Sequence, residues 1–289
     1  MPRSDRPILA RRRAFPVVDP VAVPVRRPLV FAHRGSSWAE PEHTFGAYLR
    51  AIEEGADGLE CDVRLTRDGH VVCVHDRRLD RISNGRGLVS THTLDELSEL
   101  DFASWHPGPG EDDEELVYDR DHRVLTLDRL LAASVDAGRP VRLLIETKHP
   151  TRYGPAVEAQ VVRSLRRYGL HRPAADAPVR VAVMSFSALA VRRTRRLAPG
   201  LPTVMLSEFL FPWLRAGRLP FGSQVAGPDV RLVRQRPDLV SRLLARGVPV
   251  YVWTVNEPDD VDLMLRLGVT GIITDRPGFL RRRLVAHPG

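Results

Sequence analysis

The chain has 289 residues, 43% apolar and 27% charged, with a formal net charge of +7. That composition belongs to globular proteins that build a core without disulfide staples, and the length suits a single α/β barrel. The positive balance is nearly all arginine, Lys148 being the only lysine; it forms no basic stripe interleaved with aromatics, which argues against a nucleic-acid partner.

Residues 1–27 are rich in Pro and Arg and read as an extended tail. No apolar run follows Arg11-Arg12-Arg13, because Pro16, Asp19, Pro20 and Pro24 interrupt the stretch. Neither a signal peptide nor stable membrane insertion is expected, and the cytoplasm is the expected compartment. From residue 28 to about 285, strand-length apolar runs alternate with amphipathic segments, the pattern of βα units around a parallel sheet.

The predicted strands are Leu29–Ala32, Gly58–Asp62, Arg142–Glu146, Val179–Met184, Thr203–Leu206, Gln224–Ala226, Val248–Trp253 and Gly271–Ile273. Eight of them close a TIM (β/α)8 barrel. Between the first two, Phe45, Tyr48, Leu49 and Ile52 mark one helix face, with Thr44 as N-cap and Gly55 as stop. Later helices include Val157–Tyr168 and Pro237–Arg246.

Two segments depart from the repeat. Asp68-Gly69 between β-rich arms predicts a two-residue hairpin turn. That register sets Asp62 opposite His75 and puts Cys61 and Cys73 on opposite faces, where no disulfide forms. Residues 77–125 are too long for a βα loop and form an insertion over one end of the barrel, with a short helix at Leu94–Leu100. Its acidic run Glu111–Glu115 reads as a solvated loop.

The predicted strands end in polar residues, and in such barrels the working face is the C-terminal end of the strands. Glu60 and Asp62 lie two apart, so they share a face and repel unless a cation sits between them. A divalent ion with Glu146 as third ligand satisfies them, and an all-carboxylate set favours Mg²⁺ or Ca²⁺. The alternative is pairing with the many arginines, and spacing alone leaves both open. His33 and His75 are candidates for acid–base work, since imidazole titrates near neutrality. Arg34 and Lys148 suit a phosphate clamp. Trp253 suits stacking on a polyol or core packing, and the apolar run Phe209–Leu214 suits core packing or a lip for an acyl chain.

These residues fall in an ordered set: His33-Arg34-Gly35, Pro41-Glu42-His43-Thr44, Leu59-Glu60-Cys61-Asp62-Val63, Val74-His75-Asp76, Ile145-Glu146-Thr147-Lys148, Val252-Trp253-Thr254-Val255-Asn256 and Gly271-Ile272-Ile273-Thr274-Asp275-Arg276-Pro277. From about residue 29 to 280 the chain resembles the glycerophosphodiester phosphodiesterases. The resemblance implies a small-molecule glycerophosphodiester substrate, cleaved to glycerol 3-phosphate and an alcohol. It also implies one divalent cation held by Glu60, Asp62 and Glu146, and His33 and His75 as acid–base pair. Arg34 and Lys148 would contact the phosphate, and Trp253 the glycerol. His43 stands where many members carry Asn, which leaves Glu42 and His43 without an implied role. The alternatives are a lysophospholipase D-like or sphingomyelinase D-like enzyme on the same barrel and, more remotely, an inactive barrel that binds a phosphorylated ligand.

Overall fold

The structure is a computed structural model that describes residues 27–106 and 121–286, apart from 173 and 175. The tail up to residue 26 and the acidic run Glu111–Glu115 lie outside the described residues.

Strands covered on both faces must be apolar along most of their length, and every expected strand forms. They are β1 (Leu29–His33), β2 (Gly58–Leu65), β4 (Val141–Thr147), β5 (Val179–Ser185), β6 (Thr203–Ser207), β7 (Val225–Pro228), β8 (Tyr251–Val252) and β9 (Gly271–Thr274); β3 (Val71–Cys73) is the hairpin arm. The parallel order is β7-β6-β5-β4-β2-β1-β9-β8, with β3 antiparallel on β2. Parallel bridges Ala226↔Val250 and Asp229↔Trp253 join β7 to β8. The result is a nearly closed eight-stranded barrel with helices outside.

Side-chain alternation then sorts the strand residues. Leu59, Cys61, Val63, Leu143 and Ile145 point outward into a core shared with α1 (Phe45–Glu53) and α4 (Ala156–Arg167). Inside the barrel, Phe31 and Tyr251 lie with ring centres 5.0 Å apart. They fit because Gly58 and Gly271 carry no side chain; a Cβ there would meet the rings at 2.7 and 2.6 Å. The same inward-facing rows lead to His33, Glu60, Asp62 and Glu146, and the register sets His33 beside Glu60 and Asp62 beside Glu146.

Helix α1 starts where its sequence says: Thr44 accepts from the Ala47 N–H, and Gly55 follows with φ of 79°. Its buried face is centred on Ala47, Tyr48 and Ala51, with Phe45 and Ile52 partly buried at the margin. The insertion has its own small core of Leu79, Ile82, Val89, Leu97 and Phe102. Its helix, Leu94–Ser98, opens on a capping box between Thr93 and Glu96.

The hairpin register differs from expectation. Val63 pairs with Cys73, Arg64 with Val72 and Leu65 with Val71. Thr66 N–H donates to His70 O, so Arg67, Asp68 and Gly69 form a three-residue loop, with Gly69 at φ 84°. The Thr66 hydroxyl adds bonds to Asp68 and to His70 N–H that favour the longer loop. Asp62 therefore lies opposite Val74, whose N–H donates to it, and not opposite His75. The same slip puts both cysteines on one face of the hairpin. They share one core as free buried thiols, and contact with Cys73 together with burial raises the Cys61 thiol pKa.

Candidate active site

β2 carries Glu60 and Asp62 inward, and β4 brings Glu146 beside them. One carboxylate oxygen from each lies within 4.8 Å of the others, and all three residues are buried. Burial and the charges of Asp62 and Glu146 push Glu60 well above the usual carboxylate range. Burial and Asp62 raise Glu146 to about 8, against the pull of Lys148. Burial opposes ionisation of Asp62 as well, but Lys148, His43 and Arg34 hold its pKa well below normal. Glu60 Oε2 accepts from the Arg34 backbone N–H, whereas Oε1 is buried without a partner. Three crowded carboxylates with an unsatisfied oxygen are short of positive charge, so the donor set fits a hard divalent cation.

Two side-chain cations already border the cluster. Lys148 Nζ lies 2.8 Å from Glu146 and 3.2 Å from Asp62. Arg34 donates to Glu42, and its Nε lies 3.1 Å from Asp62 without the alignment of a hydrogen bond. The pairing of these acids with arginine, left open by the sequence, is thus partly realised beside the metal-type cluster. Arg34 sits at φ 57° in the sharp turn after β1.

Each expected acid–base histidine has a carboxylate behind it. His33 Nδ1 meets Asp275 Oδ1 at 2.6 Å across the β1–β9 join. Ser37 and Asn256 also donate to Asp275. Burial opposes charge on Asp275, yet these bonds, led by that from His33, bring its pKa down to about 2. His75 Nδ1 meets Asp76 at 2.7 Å, and Arg64 donates Nε and Nη2 to the His75 carbonyl. Burial lowers the His75 pKa to about 4, with Arg34 and Lys148 contributing; Asp62 and Asp76 act in the opposite sense. The charges of Asp62, Arg34 and Lys148 thus act on His75 despite the changed register.

Trp253 follows β8 half-buried, donates Nε1–H to Gly227 O and meets Phe186 edge-on, centres 5.3 Å apart. The apolar run divides. Leu214 is buried and Leu210 and Trp213 pack against the core, while Phe209 and Phe211 are exposed.

Sequence reasoning left several participants without a role. His43, at φ 62°, is buried with Nε2 3.0 Å from Asp62 and Nδ1 2.8 Å from the Tyr48 hydroxyl. Glu42 accepts from both Arg34 and Arg81; despite burial these hold it at about 2. Asp275 lies in a quoted motif, but only barrel closure reveals its partner.

Residues 33–279 match the model of the glycerophosphoryl diester phosphodiesterase family, and the chain belongs to that family. It is 49% identical over 251 residues to the protein named probable glycerophosphodiester phosphodiesterase 1 in Mycobacterium tuberculosis, covering 87% of this chain and 90% of that one. It is 33% identical to a glycerophosphodiester phosphodiesterase of Caldanaerobacter subterraneus, covering 87% and 96%. Among solved structures, an Oleispira antarctica phosphodiesterase in complex with the product sn-glycerol-3-phosphate superposes with a TM-score of 0.72 at 23% identity, covering 89% and 97%. The chain is a phosphoric diester hydrolase on a glycerophosphodiester phosphodiesterase barrel.

Proposed function

We propose that the protein hydrolyses small glycerophosphodiesters to glycerol 3-phosphate and an alcohol with one divalent cation, Mg²⁺ or Ca²⁺, and two histidines. The carrying observation is the buried Glu60–Asp62–Glu146 cluster with its unpartnered Glu60 oxygen. Glu60, Asp62 and Glu146 would hold the ion, which when bound supplies Lewis-acid polarisation of a phosphoryl oxygen.

The chain's own residues do the rest. Arg34 and Lys148 offset the charge that builds on the phosphoryl oxygens. One histidine accepts the proton of the attacking oxygen; the other donates a proton to the alcohol oxygen as its bond to phosphorus breaks. Asp275 and Asp76, each on an Nδ1, fix the tautomer and leave Nε2 for the substrate. Trp253 packs against the glycerol. The product bound in the Oleispira antarctica enzyme supports this substrate class. No helix among the described residues is long and apolar enough to cross a membrane, which is compatible with work in the cytoplasm.

The test incubates metal-stripped protein with glycerophosphocholine and follows glycerol 3-phosphate after adding Mg²⁺, Ca²⁺, Mn²⁺ or nothing. Release that depends on metal is expected. Equal release without metal would remove the cation, and no release with any metal would remove the substrate.

A further inference from the structure

His43 is buried beside the carboxylates and takes no part in the chemistry proposed above. It lies between β1 and α1 at φ 62°. A residue other than glycine is strained at that φ and persists there only where its surroundings hold it. Here the His43 backbone N–H donates to the Arg34 carbonyl, and both ring nitrogens have partners. Nε2 lies 3.0 Å from Asp62 Oδ2, and Nδ1 lies 2.8 Å from the hydroxyl of Tyr48, a fully buried residue of α1. An ionised Asp62 only accepts, so Nε2 carries a hydrogen and points it at Oδ2. The Tyr48 hydroxyl also lies 3.0 Å from the Glu60 carbonyl oxygen. Ring, phenol and strand β2 are thus tied together.

This arrangement tells the two oxygens of Asp62 apart. Oδ1 lies 3.2 Å from Lys148 Nζ, which also meets Glu146 at 2.8 Å, so Oδ1 is on the side shared with Glu146. Oδ2 is turned to the His43 ring. Arg34 Nε approaches Oδ2 at 3.1 Å without hydrogen-bond alignment. Lys148 is a point charge on a flexible stem and fixes no orientation. An imidazole packed in the core and held at its far nitrogen does fix one, as the outer partners of ligating carboxylates do in metal sites.

Resting on the function proposed above, we infer that His43 is a positioning residue of the metal site. It holds Asp62 by Oδ2 so that Oδ1 is presented to the cation, and Tyr48 holds His43 in turn.

The test titrates metal-stripped protein with Mg²⁺, Ca²⁺ and Mn²⁺ in a calorimeter, with no substrate present. Dissociation constants are compared for the ion that the wild type binds most tightly. His43→Leu, which fills the space without a donor, should weaken binding by about 10- to 100-fold. His43→Gln, whose amide nitrogen reaches the place of Nε2, should stay within about threefold of the wild type. Tyr48→Phe keeps the ring and loses the hydroxyl, and should weaken binding by about threefold to tenfold. Thermal midpoints of the metal-stripped proteins are read alongside. A role in packing alone would lower the midpoint of the His43 variants and leave their metal affinities equal. Affinity of the Leu variant within about twofold of the wild type, or equal losses in the Leu and Gln variants, would overturn the positioning role alone. Should the Leu variant fail to fold, unchanged affinity in Tyr48→Phe would overturn it and weakened affinity would support it. A wild type that binds none of the three ions would overturn the metal-dependent reaction and this inference with it.

Discussion

In the proposed mechanism His33 and His75 form the acid–base pair, and they stand on two kinds of ground. His33 ends a barrel strand, and its partner Asp275 follows the neighbouring strand β9, fixed by Ser37 and Asn256. His75 lies beyond the hairpin arm on a loop. Its support is Asp76 next in sequence, tied by Arg81, and the Arg64 fork on its backbone carbonyl. The first histidine is positioned by the sheet, and the second by side chains that reach over to a loop. Rigid-element placement and loop placement should respond differently to the loss of one support.

Replacing either histidine removes the group itself, so the comparison begins there. His33→Ala and His75→Ala should each lower kcat by about 10²–10⁴-fold with glycerophosphocholine. Both rings are only partly buried, so the thermal midpoint should move little. Near-normal turnover in either variant would take that residue out of the mechanism.

The supporting carboxylates separate the two sides. Asp275→Asn reverses hydrogen-bond polarity at a site where three side chains converge, and it should cost on the order of 10²-fold in kcat. Asp76→Asn leaves Arg64 in place on the His75 backbone and should cost nearer to tenfold. Equal losses would mean that the barrel gives His33 no advantage. Arg64→Gln should cost less again, about threefold to tenfold in kcat, with KM for glycerophosphocholine little changed. A rise in KM alone would show that Arg64 binds this substrate and does not position His75.

Much of this architecture was legible in the sequence because barrel strands are continuous apolar runs and their polar ends are conspicuous. Glu60 and Asp62 share a face by period alone, and the β2–β4 register carried Glu146 beside them. Sequence reasoning erred at the hairpin because Asp68-Gly69 resembles a complete two-residue turn. Whether Arg67 joins the loop depends on the Thr66 side chain, which a turn propensity does not weigh. Partners far apart in the chain were also hidden: His33 and Asp275 are 242 residues apart and meet only when the barrel closes. His43, at positive φ like Arg34, meets Asp62 across the turn that follows β1, a contact that sequence spacing does not reveal.

The smallest effect expected is in the titration of His75. Burial lowers its pKa from 6.5 to about 4 in the metal-free protein. Between those values the unfolded chain binds a proton that the folded chain refuses. Stability from this residue is therefore complete above pH 6.5, falls as the pH drops, and is fully lost once the folded ring protonates near pH 4. A proton NMR titration of the metal-free protein should place the His75 ring resonance near that value. Asp76→Asn should lower the midpoint further, because Asp76 is one of the groups that raise it. A midpoint near 6.5 in the wild type would mean that the loop opens His75 to water, leaving its placement to substrate and metal and sharpening the contrast with His33.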